Sequence, residues 1–147
     1  MKTPSLGMTV RLLYVSRSAG PQTTTVTRSI LEKAQGHNNA QGISGVLCQG
    51  QGFFIQVLEG ERSRVNALFR RIAADPRHKD VELLQYEEIQ TRQFGKWSMA
   101  LVNLSVDDPM IRLQHPEYDP YSASGTQVMQ LLMDLLETGQ PINLTDE

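Results

Sequence analysis

Gln56 is the residue whose chemistry is hardest to set aside. It lies in Gly52-Phe53-Phe54-Ile55-Gln56-Val57-Leu58-Glu59-Gly60, a glycine-bounded stretch rich in β-branched and aromatic residues. That composition predicts a strand. Alternation puts Phe53, Ile55 and Val57 on one face, and Phe54, Gln56 and Leu58 on the other. Both faces are apolar, so the strand should be central and covered on at least one side. A buried amide left without partners costs on the order of 1–3 kcal/mol. Something polar should therefore face Gln56. A loop carbonyl or a half-open face would be the ordinary solution.

Two further polar groups stand out. Tyr14 is the polar-tipped member of Val10, Leu12 and Tyr14, one face of a strand expected over residues 9–16. A core tyrosine whose hydroxyl meets a backbone carbonyl is the usual case. Asn38 follows a helix expected over residues 23–35, with Val26, Ile30, Leu31 and Ala34 inside and Gly36 as its end. His37 and Asn38 are then expected in a polar loop, where such side chains often only turn the chain. No carboxylate pair, Ser/His/Asp set or Cys/His metal spacing accompanies these residues, and no glycine-rich phosphate loop is present.

Composition narrows the classes. The chain has 147 residues, 39% hydrophobic and 20% charged, which suits one globular domain with a short extension. A net charge of −2 provides no electrostatic footprint for nucleic acid or anionic lipid. No apolar run reaches the ~18–20 residues of a membrane span, and residues 1–7 lack a signal-peptide core. The single cysteine, Cys48, allows no internal disulfide and fits a reducing cytoplasm.

The remaining elements follow from periodicity. Strand Ile43–Cys48 and the Gln56 strand are joined by Gln49-Gly50-Gln51-Gly52, which reads as a hairpin. Val65, Leu68, Phe69, Ile72 and Ala73 then mark a helix that Asp75-Pro76 stops. Its arginines Arg62, Arg64, Arg70 and Arg71 read as a solvated face. Arg77 to Asp80 reads as a basic turn before a strand over residues 81–87, and a fifth strand is expected over residues 97–104, with Trp97, Met99 and Leu101 on one face. One helical turn is expected at residues 109–113. A last helix spans residues 125–138, opened by a Ser124…Gln127 capping box and closed by Gly139 and Pro141. Its stripe of Val128, Leu131, Leu132 and Leu135, widened by Met129, Met133 and Leu136, predicts packing on the main domain and against a partner chain.

The order β-α-β-β-α-β-β is an α+β, ferredoxin-like arrangement: a five-stranded mixed sheet with two helices on one face, plus a C-terminal helical extension. In that order the Tyr14 and Gln56 strands are neighbours at mid-sheet. Ile30 and Ile72 would face each other from the two helices. A flat apolar ring between them would show its polar edge to Asn38 and Gln56, the apolar walls and placed amides of a common pocket style.

At this point the chain resembles a known family. Leu12-Leu13-Tyr14-Val15-Ser16, His37-Asn38, Gly42-Ile43-Ser44-Gly45-Val46-Leu47, Phe53 through Gly60, Asp75-Pro76-Arg77-His78 and Trp97-Ser98-Met99 together look like the BLUF domain, a flavin-binding blue-light receptor. The likeness covers residues 8–104, a sensor domain; residues 105–147 resemble the helical tail of short, single-domain members. It implies a noncovalent flavin, usually FAD, with FMN or riboflavin as alternatives, held edge-on between the helices. It implies that Tyr14 donates an electron and a proton to the excited ring, that Gln56 bridges Tyr14 to it, and that Asn38 holds its C4 carbonyl edge. Ile30 and Ile72 would clamp the ring faces. Arg71, His37 and Asp75 would lie near its other edge, Arg77 and His78 near the phosphates, and Trp97 and Met99 would relay the signal. Ser44 stands where many members carry threonine, and His37 where some carry asparagine.

Because a glutamine amide has a donor end and an acceptor end, rotation or tautomerisation changes what it offers a ligand. Cys48 is expected to be a buried small hydrophobe rather than a nucleophile. With no cyclase, phosphodiesterase or DNA-binding stretch in the 147 residues, the expected output is non-enzymatic, through a downstream protein or a homo-oligomer. The rival expectations are an RNA-binding module built on Phe53 and Phe54, an acylphosphatase-like enzyme lacking its phosphate loop, or a plain dimerisation module.

Overall fold

The structure is a computed structural model that describes residues 8–96, 99–103 and 119–138. The described elements are β1 (Thr9–Ser18), α1 (Thr24–Gln41), β2 (Ser44–Gly50), β3 (Phe53–Glu61), α2 (Arg62–Ala74), β4 (His78–Ile89), β5 (Ala100–Asn103) and α3 (Gly125–Thr138). One five-stranded sheet runs β4-β1-β3-β2-β5. β3 pairs antiparallel with β1 and β2, β4 antiparallel with β1, and β5 parallel with β2. Two βα-β units are thus interleaved, and β3 is central as its two-faced apolar pattern requires. The β1–β3 register sets Tyr14 opposite Gln56.

Each sheet face is buried against helix. On one side Val10, Leu12, Tyr14, Phe54 and Leu58 pack with Ile30 and Leu31 of α1 and Val65 of α2. On the other, Leu13, Val15, Ile55 and Val57 pack with Val128, Leu131, Leu132 and Leu135 of α3. Full burial of each such side chain is worth about 1.5–3 kcal/mol before entropy is counted, so α3 is integral to the core. Met129, Met133 and Leu136 also pack partly against it, which accounts for the broad apolar stripe within this chain. The covering of both faces removes an RNA platform. Phe54 is buried, and Phe53 lies beneath Arg17 and beside Tyr121.

Several boundaries differ from expectation. α1 runs through Gly36 to Gln41, so His37 and Asn38 are helical rather than in a loop. A mid-helix glycine costs only about 1 kcal/mol. The true stop is Gly42, whose φ of 67° suits a glycine after a helix end. There Ile43 N–H donates to the Asn38 carbonyl at 2.9 Å and Gly42 N–H to that of Asn39 at 3.4 Å. β4 already begins at His78, absorbing most of the expected turn. β5 begins at Ala100. The expected turn at residues 109–113 and the stop at Gly139 and Pro141 lie outside the described residues, as does Trp97. α3 begins as expected: Gln127 N–H donates to Ser124 Oγ at 3.1 Å, and Ser124 N–H to Gln127 Oε1 at 2.8 Å. The hairpin turn places Gln51 and Gly52 at φ 55° and 81°, the positive angles that favour tight hairpins.

One buried charge fixes the approach to β5. Glu59, fully buried, pairs with Arg11 at 2.8 Å. Its carboxylate also accepts the backbone N–H groups of Gln93 at 3.0 Å and Phe94 at 2.8 Å. These bonds offset its desolvation and pin the β4–β5 loop to β3.

The tightest backbone approach is at Gly45 in β2. A Cβ there would come within 1.9 Å of the Val57 carbonyl oxygen in β3. Gly45→Ala is therefore expected to destabilise the fold by about 3 kcal/mol or more. A urea titration should show a lower midpoint with a similar slope; an unchanged midpoint would contradict the packing described.

Candidate functional site

Between the two helices on the pocket side lies a cleft of about 320 Å³, within the size range of small-molecule sites. Its floor is Tyr14 of β1, Leu47 of β2 and Gln56 of β3. Ile30 and Ala34 of α1 and Leu68 and Ile72 of α2 supply apolar walls, with His37 and Arg71 among them. Asp75, Arg77 and His78, after α2, also line it. Lys33 lines it too, one helical turn from Ile30 and from His37.

The floor carries a chain of hydrogen bonds. The buried Tyr14 hydroxyl donates to Gln56 Oε1 at 2.5 Å. Burial pushes the Tyr14 phenol far above its usual range, with the charge of Asp75 adding to the effect, so it stays protonated. The other end of the amide, Gln56 Nε2, donates to the Met99 thioether at 3.3 Å. Sulfur is a weak acceptor. Gln56 thus commits its oxygen strongly and its nitrogen weakly, and a carbonyl or ring nitrogen in the cleft would be a better acceptor for that nitrogen. Tyr14 and Gln56 were expected on neighbouring strands; the bond from the amide nitrogen to the Met99 sulfur was not expected from the residues.

Gln35 was missed. It is buried on α1, and its Nε2 donates to the Met99 backbone carbonyl at 2.8 Å. The available signal was its place four residues after Leu31, on the inner stripe of a helix that continues past Gly36.

The remaining expected residues divide by position. Arg71 donates to the His37 ring at 3.1 Å. Partial burial, then the Arg71 charge, lowers the His37 pKa. Asp75 and Arg77 form a fork at 2.6–3.1 Å, which holds the Asp75 carboxyl below its usual range and raises Arg77. Arg77 is thus a neutralised rather than an isolated charge. His78 Nδ1 lies 2.7 Å from Ser16 Oγ, and its ring lies 5.0 Å from Phe54 and 6.2 Å from Tyr14. Asn38 is fully buried but does not line the cleft; its carbonyl closes the end of α1. Cys48 faces α3, and burial pushes its thiol up to about 12, so it is no thiolate nucleophile. Among the described residues no group of three His, Cys, Asp or Glu could hold a metal ion.

His78, and to a lesser degree the more exposed His37, is expected to make the fold acid-sensitive. Burial lowers the His78 pKa, Asp75 opposes this and Arg77 adds to it. A histidine kept neutral in the fold binds its proton more readily once unfolded, so stability falls as pH drops below about 6.5. The Asp75 contribution is lost only at lower pH, through the carboxylate range. Urea midpoints measured from pH 7.5 to 5 should decline, and His78→Asn should flatten that decline; an equally steep decline in the variant would assign it elsewhere.

Comparison with known proteins points one way. The family described as BLUF, sensors of blue-light using FAD, matches residues 9–100. The photoactivated adenylate cyclase subunit beta of Euglena gracilis is 34% identical over 90 residues, 60% of this chain and 10% of that protein. The blue light- and temperature-regulated antirepressor BluF of Escherichia coli (strain K12) is 28% identical over 101 residues, 69% of this chain and 25% of that one. The chain thus spans about a tenth of the cyclase subunit and a quarter of the antirepressor. Among solved structures, the photo-activated state of BlsA superposes with a TM-score of 0.79 at 32% identity, covering 88% of this chain and 95% of that one. The dark state of BlrB, a BLUF protein, gives 0.74 at 29% identity, covering 90% and 98%. With the family matched over residues 9–100 and relatives and solved structures of the same kind, the chain belongs to the BLUF family, sensors of blue-light using FAD.

Proposed function

We propose that this chain senses blue light through a flavin held noncovalently in the cleft, with Gln56 as the switching amide. The observation that carries the reading is the asymmetric bonding of Gln56, strong to Tyr14 and weak to Met99. The residues fit such a ring: apolar side chains from both helices for its faces, and an underused amide donor for its polar edge. A bound flavin supplies a blue-absorbing ring that, when excited, accepts an electron and a proton. Tyr14 would be the donor: its buried, protonated phenol would give up one electron and one proton, the proton by way of Gln56, and would regain both once the amide has turned. Gln56 then presents a donor to the C4 carbonyl edge, which lowers the absorption energy slightly.

Ile30 and Ile72 hold the ring faces in this reading, and Asn38, Arg71, His37 and Asp75 support its edges from within or behind the lining. Arg77 and His78 stand toward the phosphates of FAD; FMN or riboflavin would present the same ring with fewer of these contacts. Met99, and with it Trp97, relays the rearranged amide to β5. Residues 8–104 form the sensor. Residues 105–147 carry the output, supported by the burial of α3 against the opposite face of the same sheet. The output is non-enzymatic: a downstream protein or a second copy of the chain reads it in the cytoplasm. No described helix is long and apolar enough to cross a membrane.

The purified chain should be yellow, and its absorption should shift reversibly to the red under blue light. A colourless protein that ignores added flavin would sink the reading. Gln56→Leu should keep flavin affinity within about tenfold, the scale of one lost hydrogen bond, and lose the shift entirely. Tyr14→Phe should also abolish the shift; its persistence at full size would contradict the assignment of the donor.

A further inference from the structure

We propose that Gln35 is a positioning residue for the Gln56 switch: it holds the Met99 main chain so that the Met99 thioether stays within reach of the Gln56 amide. The inference rests on the flavin reading above and deepens it.

Met99 is fully buried and receives amides from two elements. Gln56 on β3 reaches its sulfur, and Gln35 on α1 reaches its backbone carbonyl. The two bonds differ in kind. An amide donating to a carbonyl at 2.8 Å is a full hydrogen bond, whereas donation to a thioether at 3.3 Å is weak. Turning Gln56 therefore releases the weak bond and leaves the strong one intact. Met99 cannot drift while Gln56 is turned, because breaking the Gln35 bond would leave a buried carbonyl without its donor. The thioether stays poised to recapture Nε2 when the amide turns back.

The segment leading to Met99 is pinned at its other end as well. Glu59 holds Gln93 and Phe94 by their backbone N–H groups, and Phe94 is buried on the α3 side of the sheet. Met99 is buried on the cleft side. Phe94 and Met99 are thus anchored on opposite faces of the sheet. Gln35 is the anchor that shares a partner with Gln56. It sets how far a change at Gln56 moves the start of β5, and how readily the dark arrangement is regained.

The test uses the full chain carrying flavin, with Gln35→Leu, which removes the amide at similar volume, and Gln35→Asn, which keeps an amide too short to reach. If Gln35→Leu does not fold, Gln35→Asn carries every measurement. The light-induced shift should keep its size, because Tyr14 and Gln56 are untouched. Return to the dark spectrum should slow by about fivefold or more, the equivalent of one hydrogen bond. Amide hydrogen exchange in the dark should accelerate across residues 99–103 while β1 and β3 stay protected. Unchanged exchange in that segment would overturn the clamp. Faster exchange with unchanged dark return would reduce Gln35 to a structural residue and overturn the positioning role. A wild-type chain with no light response would instead overturn the flavin reading, and the exchange data would still report on the clamp.

Discussion

The molecule is arranged around one hydrogen bond, from the Tyr14 hydroxyl to Gln56 Oε1 across the β1–β3 pairing. It is buried at the floor of the cleft, so each group is satisfied by a fixed neighbour. Satisfying Tyr14 commits the amide oxygen and leaves the amide nitrogen to a thioether. That imbalance separates this core from one in which every polar atom is fully used. In the proposed function that imbalance is what would let the amide turn: the alternative orientation forfeits one strong and one weak bond, and a carbonyl in the cleft would restore much of the loss.

The remainder of the fold keeps that pair in register and dry. β3 lies at the centre of the sheet, with Gly45 permitting β2 to approach it closely. α3 seals the far face, and its docking extends to the backbone: a Cβ at Gly125 would meet the Leu84 carbonyl at 2.8 Å. Tyr121, just before α3, stacks on Arg17 at 4.4 Å and donates to the Asp80 carbonyl. The tail is thereby tied to β1 and β4, while Glu59 ties the β5 approach to β3. In the proposed function a change at Gln56 would meet a packed sheet whose shortest strand, β5, is four residues long and pairs with β2 at the sheet edge. Packed interiors transmit such changes through discrete rearrangements rather than gradual bending.

Much of this was legible in the sequence because it is local. The two-faced apolar pattern of residues 53–58 requires a central strand, and the order of periodic segments specifies the interleaved βαβ layout. The Ser124…Gln127 box and the stripe behind it define α3 to the residue. Tyr14 and Gln56 stood out because polar groups on apolar stripes demand partners, whereas Met99 was marked only by the family resemblance. The end of α1 was misread because Gly36 is a helix breaker only by a small propensity term, which packing outweighs. The decisive glycine was Gly42, recognisable by a backbone angle that sequence does not display.

What the sequence determined by itself is the set of elements and the identity of the amide, since periodicity and chemical type are properties of the chain. Tertiary structure alone decided which end of Gln56 faces Tyr14, that Gln35 shares Met99 with it, and that Asn38 is buried without lining the cleft. Each of these is a contact between residues distant in sequence or in different elements, or a choice among rotamers that are equivalent in sequence. Such choices are settled only when competing donors and acceptors are enclosed together, where an unmade hydrogen bond costs more than the conformational freedom lost in making it.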